Sequence, residues 1–450
     1  MATWIKNPLK VWTGHDGDAS GGIVVKGSKI VELIKSGHLP TVDYDSTIDA
    51  SNLVLTPGLI NCHHHFYQTL TRAFPSALNK ELFPWLKSLY PVWAGLEEES
   101  IALSTRLALA ELMLSGCSLA SDHHYLFNRD IGSAIDIQAR EAMELGIRVV
   151  LTRGSMSLGA SQGGLPPDSV VQSDDDILGE SERLLRAFSN EENRSGNRVQ
   201  IALAPCSPFS VTKELMSQSA KLARQYGALL HTHLGETEDE NRFCLRRFGM
   251  RPLDYLESVD WLAEDVWLAH GIHFLEEEVL KLGQAGVAIS HCPSSNMVLA
   301  SGICPVLELE QAGSAVGLGV DGSASNDCSN MIQEVRQAFM LQRLKYGAAQ
   351  VSHEDALRWA TQGGATLFHR NDVGSLEVGK EADIAFFALD ELRFSGSGDP
   401  LAALILCGAH KVKHLMVAGE WRVKDGEIPG LDLPDLQAKH QALAVKLVSK

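Results

Sequence analysis

Between residues 55 and 321 the chain alternates short, apolar, β-rich runs with longer stretches whose apolar residues recur at helical spacing, the pattern of repeated βα units. Eight runs can be marked: LTPGLINCH (55–63), SLASDH (118–123), IRVVLTR (147–153), VQIALAP (199–205), ALLHTH (228–233), VWLAH (266–270), VAISH (287–291) and AVGLGVD (315–321). Eight parallel strands with intervening helices close into a (β/α)8 TIM-type barrel, and that α/β fold is the expectation. The clearest helix follows the first run: EEESIALSTRLALAELMLSG (97–116) is acidic in its first turn, amphipathic in its body and closed by Gly116.

The two ends of the chain have a different texture. Residues 9–56 read as strands and tight turns, with Gly27–Ser28 separating two β-rich runs in hairpin fashion. The same strand–turn–strand pattern returns in ADIAFFALD (382–390) and HLMVAGEWRVKDGEI (414–428). The expected organisation is therefore a small β-module from residues 1–56 and 376–450, the latter ending in a helix, around a barrel over 57–375. Residues 155–175 are rich in Gly, Ser and Pro and are expected to form a mobile cover near the barrel mouth.

Composition narrows the partners. A hydrophobic fraction of 45% and a charged fraction of 21% suffice for a sizeable core. Lys and Arg number 39 against 56 Asp and Glu, a net charge of -17, which repels polyanions and argues against nucleic-acid binding. A small neutral or weakly charged substrate fits better. The eight cysteines are scattered without a C-x-x-C pair, the N-terminal MATWIKNPLKVWTG lacks a signal-peptide core, and no apolar stretch reaches spanning length. These features predict reduced thiols, a cytoplasmic location and no membrane association.

Six of the eight runs end in His or Asp, and parallel barrel strands all end on one face, so these side chains should converge. In His63-His64-His65 the first and third residues share one side of an extended chain and can bind one ion. His231-Thr232-His233 repeats the spacing on the fifth run, and Asp321 closes the eighth with a carboxylate. An isolated H-x-H means little; its coincidence with strand-terminal His270, strand-terminal Asp321 and a downstream H-x-x-E is what points to a metal site.

The motifs PGLINCHHHFYQTL, HTHLGETEDE, WLAHGIHF with ISHCPSSN, and GLGVDGSASND resemble the four signatures of aromatic deaminases of the amidohydrolase superfamily. LEVGKEADIAFF resembles the return into that family's small β-sandwich, so the likeness spans nearly the whole chain. It implies His63, His65, His233 and Asp321 as metal ligands and Glu236, His270 and Asp321 as catalytic residues. Two-metal members carry a bridging lysine at the end of strand four; Ala204-Pro205-Cys206 stands there instead, which implies one divalent ion per chain, zinc by default with iron as the alternative. Such an ion makes water acidic enough to attack at neutral pH; Asp321 would take its proton, His270 would orient it, and Glu236 would protonate a ring nitrogen. Glu238, Asp239 and Glu240 read as solvated residues.

For the substrate, Gln68, Arg72, Trp93, Arg153 and Cys206 are candidates to read a planar, polar ring. NCHHHFYQTLTRAFP, ASDHHYLF and TRGSMSLG resemble the family branch whose members deaminate 8-oxoguanine, isoxanthopterin or hydroxylated s-triazines, with 8-oxoguanine the leading substrate. Competing readings are a cyclic-amide or dechlorinating hydrolase on the same scaffold and a scaffold protein without metal. Family members also form homodimers, an assembly the resemblance leaves open here.

Overall fold

The structure, a computed structural model, describes residues 1–188 and 198–449. Eight parallel strands close into a barrel in chain order: Leu59–Asn61, Cys117–His124, Arg148–Ser155, Val199–Pro205, Leu230–Leu234, Val266–His270, Ala288–His291 and Val316–Leu318. The last pairs with the first through Leu318 and Asn61. The helix Glu98–Leu114 forms as its pattern predicts, with Glu97 and Ser100 completing a capping box and Gly116 turning the chain at φ +96°.

The first run departs from expectation. Residues expected to make one strand over 55–63 divide at Gly58: Leu53–Pro57 belongs to a separate sheet, and only Leu59–Asn61 enters the barrel. Gly58 permits the crossing because a Cβ there would lie 2.2 Å from the Ser118 hydroxyl oxygen.

Two sheets flank the barrel. One holds Lys29–Ile34, Gly22–Lys26, Ala2–Lys6 and Ser46–Asp49; the other holds Glu420–Val423, His414–Val417, Ile384–Ala388, Leu53–Pro57 and Lys10–Val11. The chain ends meet in the second, where Leu53–Pro57 runs antiparallel to Ile384–Ala388. Ile5, Ile23, Leu55, Ile384, Phe386 and Met416 form the apolar layer between the sheets. Arg148, buried at the base of the third barrel strand, ties this module to the barrel through Glu381 and Asp383, each 2.9 Å away.

Residues 155–175 do not cover the barrel mouth. Ser157 and Leu158 donate backbone N–H groups to Ser210 at 3.0 Å, and Leu165 donates to Phe209 at 3.2 Å, so the segment backs the loop after the fourth strand. The cover is the helix Leu82–Trp93, whose Leu82, Trp85, Leu86, Leu89, Tyr90 and Trp93 form one buried stripe. Among the described residues, no helix is long and apolar enough to cross a membrane.

Candidate functional site

At the C-terminal rim of the barrel, hydrogen bonds to distant backbone carbonyls decide which imidazole nitrogens are free. His65 Nδ1 donates to the His123 carbonyl at 2.7 Å and His233 Nδ1 to the Cys206 carbonyl at 2.6 Å. His231 Nδ1 donates to the Trp267 carbonyl at 2.9 Å, so its Nε2 is bare and accepts from His63 Nδ1 at 2.8 Å. Each of His63, His65 and His233 thus has its proton on Nδ1 and a lone pair on Nε2. His231 supports His63 from behind.

These lone pairs meet. Nε2 of His65 and Nε2 of His233 are 3.3 Å apart with no proton to share, and Asp321 Oδ1 lies 3.3 Å from Nε2 of both His63 and His65. His63 Nε2 is buried without a hydrogen-bond partner. Burial holds the imidazoles of His63 and His233 well below their usual range, hence neutral. Four acceptors facing one another in a buried space repel unless a cation sits among them. Three imidazole nitrogens and one carboxylate oxygen suit a divalent metal, and the site fits such an ion.

Glu236 and His270 stand beside this cluster. Glu236 Oε2 is 3.6 Å from His270 Nε2, which is 3.9 Å from Asp321 Oδ2, while Asn296 Oδ1 holds the far side of the His270 ring at 3.0 Å from Nδ1. Burial, reinforced by the charge of Asp321, raises the Glu236 carboxyl well above the usual range, so it is a proton donor near neutrality. His270 and Asp321 both adopt left-handed backbone conformations, φ +74° and +63°, which cost free energy in non-glycine residues and turn both side chains into the rim.

The acidic run after Glu236 divides. Glu238 and Asp239 face solvent beside His273 and Arg242, as expected. Glu240, expected to be solvated, is instead 1% exposed, and its Oε2 accepts the Glu236 backbone N–H at 3.1 Å. Burial, then Glu236, pushes its carboxyl up to about 8. Glu240 lies in the first turn of the helix Glu238–Phe248, which the loop at Glu236 folds over, a burial that charge counting along the chain does not register.

Above the cluster lies a cleft of about 30 Å³, room for water but smaller than a heterocycle. Of the candidate substrate contacts, Gln68 and Cys206 line this cleft. Trp93 does not: it is buried behind the wall, donating Nε1 to Thr71 Oγ1 at 3.1 Å. Arg153 is also occupied elsewhere, stacked 3.8 Å over Phe127 and donating to Gln172 Oε1 at 2.7 Å. Arg72 pairs with Glu111, away from the cleft. Trp85, Leu86, Tyr90, Tyr125 and Phe209, unmarked in the sequence, complete the wall. The stripe in LFPWLKSLYPVW is the signal that could have found the first three. His123 is a further addition: its Nε2 donates to the Ala204 carbonyl at 2.9 Å and its ring stacks on His233 at 4.7 Å, within reach of the cluster.

Comparison with known proteins places this geometry in context. The model of the Amidohydrolase family matches residues 54–422. The chain is 58% identical to 8-oxoguanine deaminase of Pseudomonas aeruginosa, over 99% of both chains. It is 33% identical to an isoxanthopterin deaminase of an unknown prokaryotic organism, over 99% of this chain and 97% of that protein. Among solved structures, an atrazine chlorohydrolase of Arthrobacter aurescens complexed with zinc superposes with a TM-score of 0.92 at 32% identity, over 98% of this chain and all of that one.

Proposed function

Because this chain belongs to the amidohydrolase family, we propose that it catalyses metal-dependent hydrolytic deamination of an amino-substituted aromatic heterocycle, with 8-oxoguanine, giving urate and ammonia, as the substrate. The observation that carries this reading is the 58% identity over the full chain to an 8-oxoguanine deaminase, twenty-five points above the identity to the isoxanthopterin enzyme, 33%. A single ion per chain, held by His63, His65, His233 and Asp321, is part of the proposal. Zinc is favoured by its presence in the similar chlorohydrolase structure, with iron(II) the alternative.

The side chains divide the labour by the direction each atom faces. A divalent ion at the four donors supplies the Lewis acidity that makes water nucleophilic near pH 7. Asp321 uses two oxygens for two tasks: Oδ1 faces His63 and His65, and Oδ2 faces His270 and is placed to accept the proton of the attacking water. His270, held by Asn296, orients that water. Glu236, kept protonated by burial and Asp321, delivers a proton to the ring nitrogen next to the amino-bearing carbon. The amine takes the proton held by Asp321 and leaves as ammonia, while the new hydroxyl returns its proton to Glu236 and the carbon regains its planar form as a carbonyl. The buried, mostly apolar wall excludes bulk water and selects a flat ring.

The test is an ammonia-release screen over 8-oxoguanine, guanine, isoxanthopterin, cytosine and hydroxy-s-triazines. 8-Oxoguanine should have the highest kcat/KM. A preference for guanine would overturn the substrate assignment, and isoxanthopterin as best substrate would keep the chemistry and move the pocket to pterins. Release of chloride or ring-opened product without ammonia would replace deamination by the dechlorinating or cyclic-amide reading.

A further inference from the structure

The covering helix Leu82–Trp93 turns three aromatic residues inward, and two of them have their polar atoms satisfied. Trp85 Nε1 donates to the Ala324 carbonyl at 3.1 Å, and Trp93 Nε1 donates to Thr71. Tyr90 differs: its ring lines the cleft, yet its hydroxyl is buried with no hydrogen-bond partner among the described residues. Of the residues that line the cleft, it alone has a buried side-chain nitrogen or oxygen left in this state. Packing would be served as well by phenylalanine, and a buried hydroxyl without a partner is disfavoured, so the oxygen at this position calls for a ligand.

We infer that the Tyr90 hydroxyl reads the ring oxo group of the substrate, making Tyr90 a specificity-determining residue of this site. The inference rests on the deaminase reading above. Burial, followed by the neighbouring Cys206 thiol, Tyr67 and the Glu236 carboxyl, keeps the phenol protonated, so it offers a donor. With the amino-bearing carbon at the metal cluster and its adjacent nitrogen at Glu236, a donor on the cover meets the remaining edge of the ring. An oxo group accepts there; a C–H cannot. Of the other candidates for this contact, Gln68 shares the cleft wall with Tyr90, whereas Arg153 stacks on Phe127 and donates to Gly154 and Gln172. Tyr67 also has an unpartnered hydroxyl but does not line the cleft. Since Tyr90 sits on the cover, its contact with the ring also couples recognition to closure.

The experiment compares wild type with Tyr90→Phe on two pairs that differ by one oxo group: 8-oxoguanine with guanine, and isoxanthopterin with pterin. A site built to donate to an oxo group discriminates far more strongly than one that only packs a ring. In the variant, kcat/KM for the oxo member should fall at least about 10-fold more than that for the other member, so the preference ratio collapses. Tm should be unchanged or raised, because the variant removes an unpaired buried hydroxyl. Equal loss on both members, or no loss on either, overturns the inference while leaving the deaminase reading standing. A wild type that releases ammonia from none of the four overturns the inference, while the deaminase reading falls only if cytosine and the hydroxy-s-triazines also release none.

Discussion

Replacing Glu236 by Gln separates proton delivery from everything else the site does. The side chain is 5% exposed, and the substitution conserves its shape while removing its acid. It belongs to none of the four donors, so metal content should stay at the wild-type level. The fold should hold as well. Burial and the neighbouring Asp321 raise the cost of a charge at 236, and a neutral amide relieves it. A change in unfolding free energy below about 1 kcal/mol is expected, because the acid it replaces is already neutral near pH 7. Turnover should fall by about 10²–10⁴, the usual contribution of a positioned general acid. At 1.36 kcal/mol per decade, that is a barrier increase of about 3–5 kcal/mol. The assay is ammonia release from 8-oxoguanine, with elemental analysis and thermal unfolding on the same preparations. Near-native turnover with normal metal content would refute the proton-donor role. Loss of metal together with turnover would show that Glu236 is a ligand, and the division of roles would have to be redrawn.

Elemental analysis should find about one divalent ion per chain and not two, since the two groups of potential donors share His63 and strand four ends in Ala204-Pro205-Cys206 with no bridging lysine. Chelation should abolish turnover and lower Tm, because it restores repulsion among three bare nitrogens and a carboxylate; an unchanged Tm would contradict the cluster's dependence on a cation. His440 predicts a pH effect. On the C-terminal helix Leu433–Val448 its Nε2 lies 3.0 Å from Thr69 Oγ1, and burial, then Arg72, lowers its pKa to about 4. The folded state therefore binds fewer protons than the unfolded one between about 4 and 6.5, so stability present above pH 6.5 is lost as pH falls toward 4, by up to about 3 kcal/mol. Urea unfolding at pH 7.5 and pH 5 should show a smaller acid loss in His440→Gln; an identical loss would mean that other groups carry it.

Much of the site could be anticipated because it sits at strand ends. His63, His65, His233, His270 and Asp321 lie where apolar runs stop, and parallel strands bring their ends together whatever the helices between them do. Gln68 and Cys206 were reachable for the same reason, each following a strand closely. Arg153 stands inside the third strand as well, and the same argument misled for it, because Phe127 and Gln172, distant in the sequence, occupy its guanidinium. Trp93 is a candidate in the sequence for reading a planar ring, whereas Trp85 and Tyr90 hold the cleft and Trp93 backs them. Position on the helix, not residue type, separates these three.

By itself the sequence determined the period of each segment, and with it the alternation of strands and helices, the hairpin at Gly27–Ser28 and the rim on which the polar strand ends gather. Periodicity is local: it records which side of an element is buried and needs no knowledge of the partner. Tertiary structure decided the rest. His231 and His233 both keep a bare Nε2 because the carbonyls of Trp267 and Cys206, neither of them near in sequence, hold their Nδ1, and His63 covers that of His231 and leaves that of His233 to the cluster. The division of residues 53–61 between two sheets at Gly58 depends on Ser118 and Ile384–Ala388. The burial of Glu240 depends on the loop folding Glu236 over its helix. The first two are contacts between segments far apart along the chain, the third a local fold-back of four residues, and hydrogen-bond direction and burial exist only once the chain is packed.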